Sequence, residues 1–207
     1  MTEVYLEIGS KRVFACAFDW PGWARSGRDE GSALEALASY LARYAAVTAA
    51  AGLRAPAAKL EVVERLPGSA TTDFGAPGAI PSRDWTPLKP AARRQMLALV
   101  RASWTRFDRV VAGAPAELRK GPRGGGRDRD KIVAHVDDAD SAYAARLGLR
   151  LTAPPPGDRS AAEAFRSALL EVLEHPVAEA KWPPAYAARR IAWHALDHAW
   201  EIEDRTE

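Results

Sequence analysis

A chain of 207 residues, 47% hydrophobic and 27% charged with a formal net charge of +2, has the composition of a globular protein. Its acids and bases are interspersed, which gives no electrostatic case for a nucleic-acid partner. The one cysteine, Cys16, excludes an internal disulfide, and no apolar run approaches the roughly 18 residues that a membrane helix needs. With no basic-then-apolar targeting pattern at the N-terminus either, a cytoplasmic protein is expected.

The length allows one large domain or two small ones, and the grammar changes along the chain. The first 66 residues predict a β-β-α-β order. Val4 to Ile8 alternates like a half-buried strand, Gly9 to Arg12 reads as a turn, and Val13 to Phe18 as a more apolar strand. A Pro21-Gly22 turn follows. Ala33, Leu34, Leu37, Tyr40, Leu41, Tyr44 and Val47 then recur at helical spacing, with Asp29 or Ser32 placed to cap and Gly52 to terminate. Leu60 to Leu66 supplies the last strand. Residues 67–90 hold five prolines and three glycines, which argues against a helix and for a linker or an extended wrapping segment.

From Ala91 to the end the period is helical, predicting a second domain over 91–207. The apolar stripes run through Leu97, Val100, Trp104, Phe107 and Val111, then Ile132, Val136, Ala139, Tyr143 and Leu147. Phe165, Leu169 and Val172 or Leu173 mark a third helix, capped by Asp158 or Ser160 and stopped by Pro176. Ala187, Ile191, His194, His198 and Ile202 mark a fourth. Four amphipathic helices joined by Gly and Pro connectors predict an antiparallel four-helix bundle, so the fold class expected is α+β in two domains.

The candidate chemistry is in the histidines. Of four in the chain, His194 and His198 are four residues apart, hence one turn apart on one helical face. Ile191 and Ile202 share that face, which turns it toward the core. His135 lies beside the stripe of another helix, three residues after Ile132. Three imidazoles from facing helices suit Zn, Ni or Fe with a position left for water or substrate. The same pattern also arises where core histidines simply hydrogen-bond to neighbours. Asp138 and Asp197 are candidates for holding an imidazole N–H, or are surface charges. Trp104, Trp193 and Trp200 read as packing before pocket lining. Arg93, Arg94, Arg101 and Arg106 read as a solvated face before an anion site, and Arg123 to Arg127 with its three glycines as a connector.

Two segments carry a family resemblance. His135-Val-Asp-Asp-Ala-Asp140 on the second helix and Ala192-Trp-His-Ala-Leu-Asp-His-Ala-Trp-Glu201 on the last resemble the DinB/YfiT-like metalloenzyme family over about residues 85–207. That resemblance implies a divalent metal on His135, His194 and His198. It also implies a small-molecule substrate and, in some relatives, a low-molecular-weight thiol activated for S-transfer or isomerisation. Residues 3–66 resemble the HicB-like fold, carried by residues 17–37 with Asp19-Trp-Pro-Gly22, a short polar strand and an Ala/Leu-rich helix. That module binds protein partners, which implies covering the bundle, closing over the site, or forming a homodimer, with Trp20 and Trp23 as contact or packing residues. The alternative function is a non-enzymatic HicB-like interaction module whose metal site is structural or vacant.

Overall fold

The computed structural model describes residues 1–121 and 125–206. The fold is α+β, and the chain divides into two compact units, Met1–Ala102 and Ser103–Glu207.

The first unit is built on a four-stranded mixed sheet of order β3-β2-β1-β4. Strand β1 (Thr2–Ile8) turns through Gly9, whose amide donates to Arg12 O at 2.9 Å, into antiparallel β2 (Val13–Ala17). A short strand β3 (Ala24–Gly27) pairs antiparallel with β2, and β4 (Leu60–Pro67) pairs parallel with β1. Parallel pairing requires a crossover, supplied by helices α1 (Glu30–Ser39) and α2 (Leu41–Ala50). Asp29 caps α1 in a reciprocal pair with Ser32.

The periodicity from Ala33 to Val47 predicts one helix, yet the chain forms two, with a break at Tyr40 (φ −86°, ψ 0°). The break has an identifiable cause. The indole Nε1 of Trp23 donates to Leu37 O at 2.9 Å, taking the carbonyl that a continuous helix would give to Leu41. Trp23 stacks on Tyr44 at 5.6 Å and 12°, and the Tyr44 hydroxyl donates to Pro21 O at 2.8 Å. Trp23 is therefore core, 1% exposed, whereas Trp20 stays partly exposed beside Tyr44.

Residues 67–90 depart from the helix-free expectation: α3 (Ala70–Phe74) and a 3-10 turn (Ser82–Trp85) both form there. The Pro/Gly count misleads because Ser69 and Thr72 build a capping box in a window the prolines leave open. What fastens this segment is Glu7, fully buried on β1. Its carboxylate accepts from the Thr72 hydroxyl and from the amides of Gly78 and Ala79, both at 2.9 Å. Asp73 adds a second tie, accepting from Lys11 N at 2.8 Å and the Ser10 hydroxyl at 2.5 Å. Gly68 is needed where it sits, since a Cβ there would lie 2.7 Å from Gly9 N.

The second unit holds the end of α4 (Pro90–Gly113), with α5 (Arg129–Arg146), α6 (Arg159–Glu174) and α7 (Pro184–Thr206). Asp158 caps α6 through Ala161 N, and α7 packs against both α5 and α6. The expected stripes are inside: Ile132, Val136, Leu147, Leu169, Leu173, Ile191 and Ile202 are all 1% exposed or less. Polar ties join the helices. Arg166 of α6 forks onto Asp108 of α4 at 2.6 and 3.0 Å, and Arg106 of α4 pairs with Glu203 of α7. No helix among the described residues is long and apolar enough to cross a membrane.

Replacing Glu7 with Ala would leave a hydroxyl and two amides without their buried acceptor. The expected loss is about 2–4 kcal/mol of unfolding free energy, read by urea denaturation, with Thr72→Val costing less. Equal stability of Glu7→Ala and the parent would show that the carboxylate does not hold residues 67–90 in place.

Candidate metal centre

Helix α7 is buried nearly all round, which places the His194 and His198 rings inside, at 6% and 9% exposure. Their separation of four residues sets the ring centroids 4.7 Å apart. Ile132 and Val136 seat α5 in the interior, and this rotation brings His135 against both rings, at centroid distances of 4.9 and 5.0 Å. The Nε2 atoms of His135 and His194 are 3.2 Å apart, and one ligand nitrogen from each of the three residues lies within 4.8 Å of the others. These three histidines are close enough to hold a metal ion.

The distances can be compared with what coordination demands. Two imidazole nitrogens each about 2.0–2.1 Å from a tetrahedral ion are about 3.3 Å from one another. The His135–His194 pair already meets that spacing, and modest ring rotation closes the remainder. Electrostatics agree. Burial, reinforced by the neighbouring imidazoles, drives the His194 pKa down to about 2, and burial also lowers that of His135. Both rings are therefore neutral near pH 7, the form that ligates.

His198 is oriented from behind. Its Nδ1 lies 2.7 Å from Glu201 Oε2, which assigns the proton to Nδ1 and leaves Nε2 as a lone pair. Glu201 is itself held by Arg205 at 2.7 Å, and these two bonds keep its carboxyl below the ordinary glutamate range. In contrast, His194 Nδ1 is buried with no hydrogen-bond partner. Neither tautomer of a bare His135–His194 pair satisfies it.

The outer residues sort differently from expectation. Glu201 takes the supporting role for which Asp138 and Asp197 were candidates. Asp138 is exposed and acts on His135 only through its charge, and Asp197 is half-buried on α7. The signal for Glu201 was its position three residues after His198, again on one helical face. Asp140, at the end of the His135–Asp140 segment, has a role that spacing alone does not signal: it is 2% exposed and accepts from Trp104 Nε1 at 3.0 Å. Burial raises its pKa to about 7. Trp104, Trp193 and Trp200 are all buried. Arg94 and Arg101 are exposed, and Arg106 is committed to Glu203. His175 caps the end of α6, exposed and 3.9 Å from Glu171. Arg123 and Gly124 lie outside the described residues.

Metal-free protein should lose stability as the pH falls below 6.5, because the unfolded chain takes up protons that the folded His194 refuses. Between pH 7.5 and 5.5 His194 alone contributes a loss of about 1.4 kcal/mol, and His194→Gln should remove that share in urea titrations. The sign for Asp140 is opposite in direction. Its raised pKa costs stability as the pH rises toward 7, so Asp140→Asn should gain on the order of 1 kcal/mol or more at pH 8 relative to pH 5. A flat pH profile for either difference would contradict the assignment. Comparison of this chain with family models, curated proteins and solved structures finds no match.

Proposed function

We propose that the second unit is a DinB/YfiT-like four-helix bundle that binds one divalent metal through His135, His194 and His198 and acts on a small molecule. The observation that carries this reading is the convergence of three imidazole nitrogens within 4.8 Å, from two buried histidines and one half-buried, two of the nitrogens 3.2 Å apart. Neutral imidazole in an apolar setting is costly unless satisfied, and a shared ion would satisfy the three together.

Zn, Ni or Fe fits an all-nitrogen donor set. Three protein ligands leave a coordination position free, the pattern of catalytic rather than closed structural sites. Bound there, a divalent ion would supply Lewis acidity and lower the pKa of a thiol or a water. The chain's own residues then hold and shield: Glu201 fixes the His198 tautomer, and Trp193 and Tyr143, each 6.0 Å from His194 by ring centroid, exclude water beside it. The reaction class that fits is a metal-dependent S-transfer or isomerisation with a low-molecular-weight thiol as co-substrate. The first unit is read as a HicB-like module serving that domain.

Metal analysis of the purified protein, together with the visible absorption of a cobalt(II)-substituted sample, tests the site. One equivalent is expected, with an open-position spectrum that shifts when a small thiol is added. His194→Ala should abolish binding while the helical circular dichroism persists. Glu201→Gln should weaken it about 10–100-fold. Stoichiometric binding that survives His135→Ala and His194→Ala together would refute the site.

A further inference from the structure

A cavity of about 420 Å³ lies between the C-terminal end of α4, the first half of α5, the chain at Pro154 and Pro155, and the first two turns of α6. None of the three candidate ligand histidines lines it. Asp137 does, two residues after His135 and therefore about 200° around the helix from it. Helix α5 thus turns one face to the imidazoles and nearly the opposite face to this space. A second cavity of about 1000 Å³ shares the Val111, Val133, Asp137 and Pro154 walls and reaches Ala134.

The walls are mainly apolar, with Phe107, Val111, Val133, Pro154 and Ala162 among them. The paired prolines hold the connecting chain in a fixed course, which keeps that wall preformed. Two charged residues of the lining are half-buried, Asp137 and Arg166. Arg166 is committed: it forks onto Asp108 at 2.6 and 3.0 Å and lies 5.4 Å from the centre of the Trp104 ring. Asp137 has no hydrogen bond or ion pair among the described residues. The charges acting on it are Arg166 and, opposing it, Asp108 and Asp138, so carboxylates outnumber the guanidinium. The other charges of the lining stand at the mouth. Arg109, Arg159 and Glu163 are exposed, and Asp158 is engaged in capping α6. Water and salt screen such exposed charges, whereas a carboxylate set against an apolar wall keeps its demand for a donor. Among the described residues no group of three carboxylates gathers here closely enough to hold a metal ion. The donor that fits is organic.

We infer that this cavity binds a small organic amine, its ammonium group donating to Asp137 and its apolar body lying against Val111, Val133 and Pro154. Small-molecule sites run to about 300–1,000 Å³, mainly apolar with a few placed polar groups, and this one has that form. An anion would meet Asp137 with like charge, and a neutral alcohol would forgo the charge-assisted bond. The site takes no part of the histidine cluster, so it stands or falls separately from the metal reading.

Phenethylamine is the probe, titrated calorimetrically into the full chain. Phenethyl alcohol, phenylpropanoate and methylamine are the controls for charge, sign of charge and apolar body. The amine is expected to bind, and each control about tenfold more weakly or worse. Asp137→Asn, close to the same shape, should lower amine affinity about tenfold or more and leave that of the alcohol unchanged. Glu163→Gln, at the mouth, should change neither. Amide NMR shifts on adding the amine should cluster at Val111, Val133 and Asp137 and spare His194 and His198. Should Asp137→Asn fail to fold, the shift map and the amine-to-alcohol ratio still decide. No amine binding, equal binding of the alcohol, tighter binding of phenylpropanoate, or shifts centred on the histidines overturns the assignment. So does an unchanged amine affinity in Asp137→Asn, or an equal loss in Glu163→Gln.

Discussion

The packing of α5 against α7 is the constraint on which the candidate site depends. It brings His135, half-buried, to within 3.2 Å of the buried His194. Imidazoles in that position are held neutral by desolvation, so their lone pairs remain available. The apolar residues on the same helix faces, Ile132 and Val136 on one side and Ile191 and Ile202 on the other, are what fix the rotation of each helix. Packing energy thereby positions polar groups that would not collect in a core on their own account.

Around that centre the polar groups divide into satisfied and unsatisfied. Glu201 links His198 to Arg205, and Arg166 with Asp108 and Arg106 with Glu203 tie α4 to α6 and α7. Against these, His194 Nδ1, Arg190 Nη1, Asp140 Oδ1 and Arg205 Nη2 are buried atoms without partners. Buried polar groups are ordinarily paired, and sites that bind something are where exceptions concentrate.

The first unit applies the same economy differently. A single buried carboxylate, Glu7, organises a segment whose sequence has little core-forming material. Trp23 does likewise for the helices: by capturing the Leu37 carbonyl, it divides one amphipathic run into α1 and α2. In both cases the hydrogen bonds of one side chain, formed with residues outside its own element, decide local backbone structure.

Spacing along the chain determined a good deal by itself. Periods of two and of three to four identified the first two strands, the last strand and the four long helices. The four-residue interval of His194 and His198, with His135 beside the Ile132 stripe, selected the histidines that the fold brings together. Periodicity works there because it records which face of an element is apolar, and that face sets the direction of every side chain upon it. Only the tertiary structure decided the rest: the break at Tyr40, the helix inside residues 67–90, and Glu201 rather than Asp138 or Asp197 behind a histidine. The break at Tyr40 depends on Trp23 meeting Leu37 across the fold, which leaves no periodic trace, whereas Ser69 with Thr72 and His198 with Glu201 stand three residues apart, local pairs that the fold selects among many.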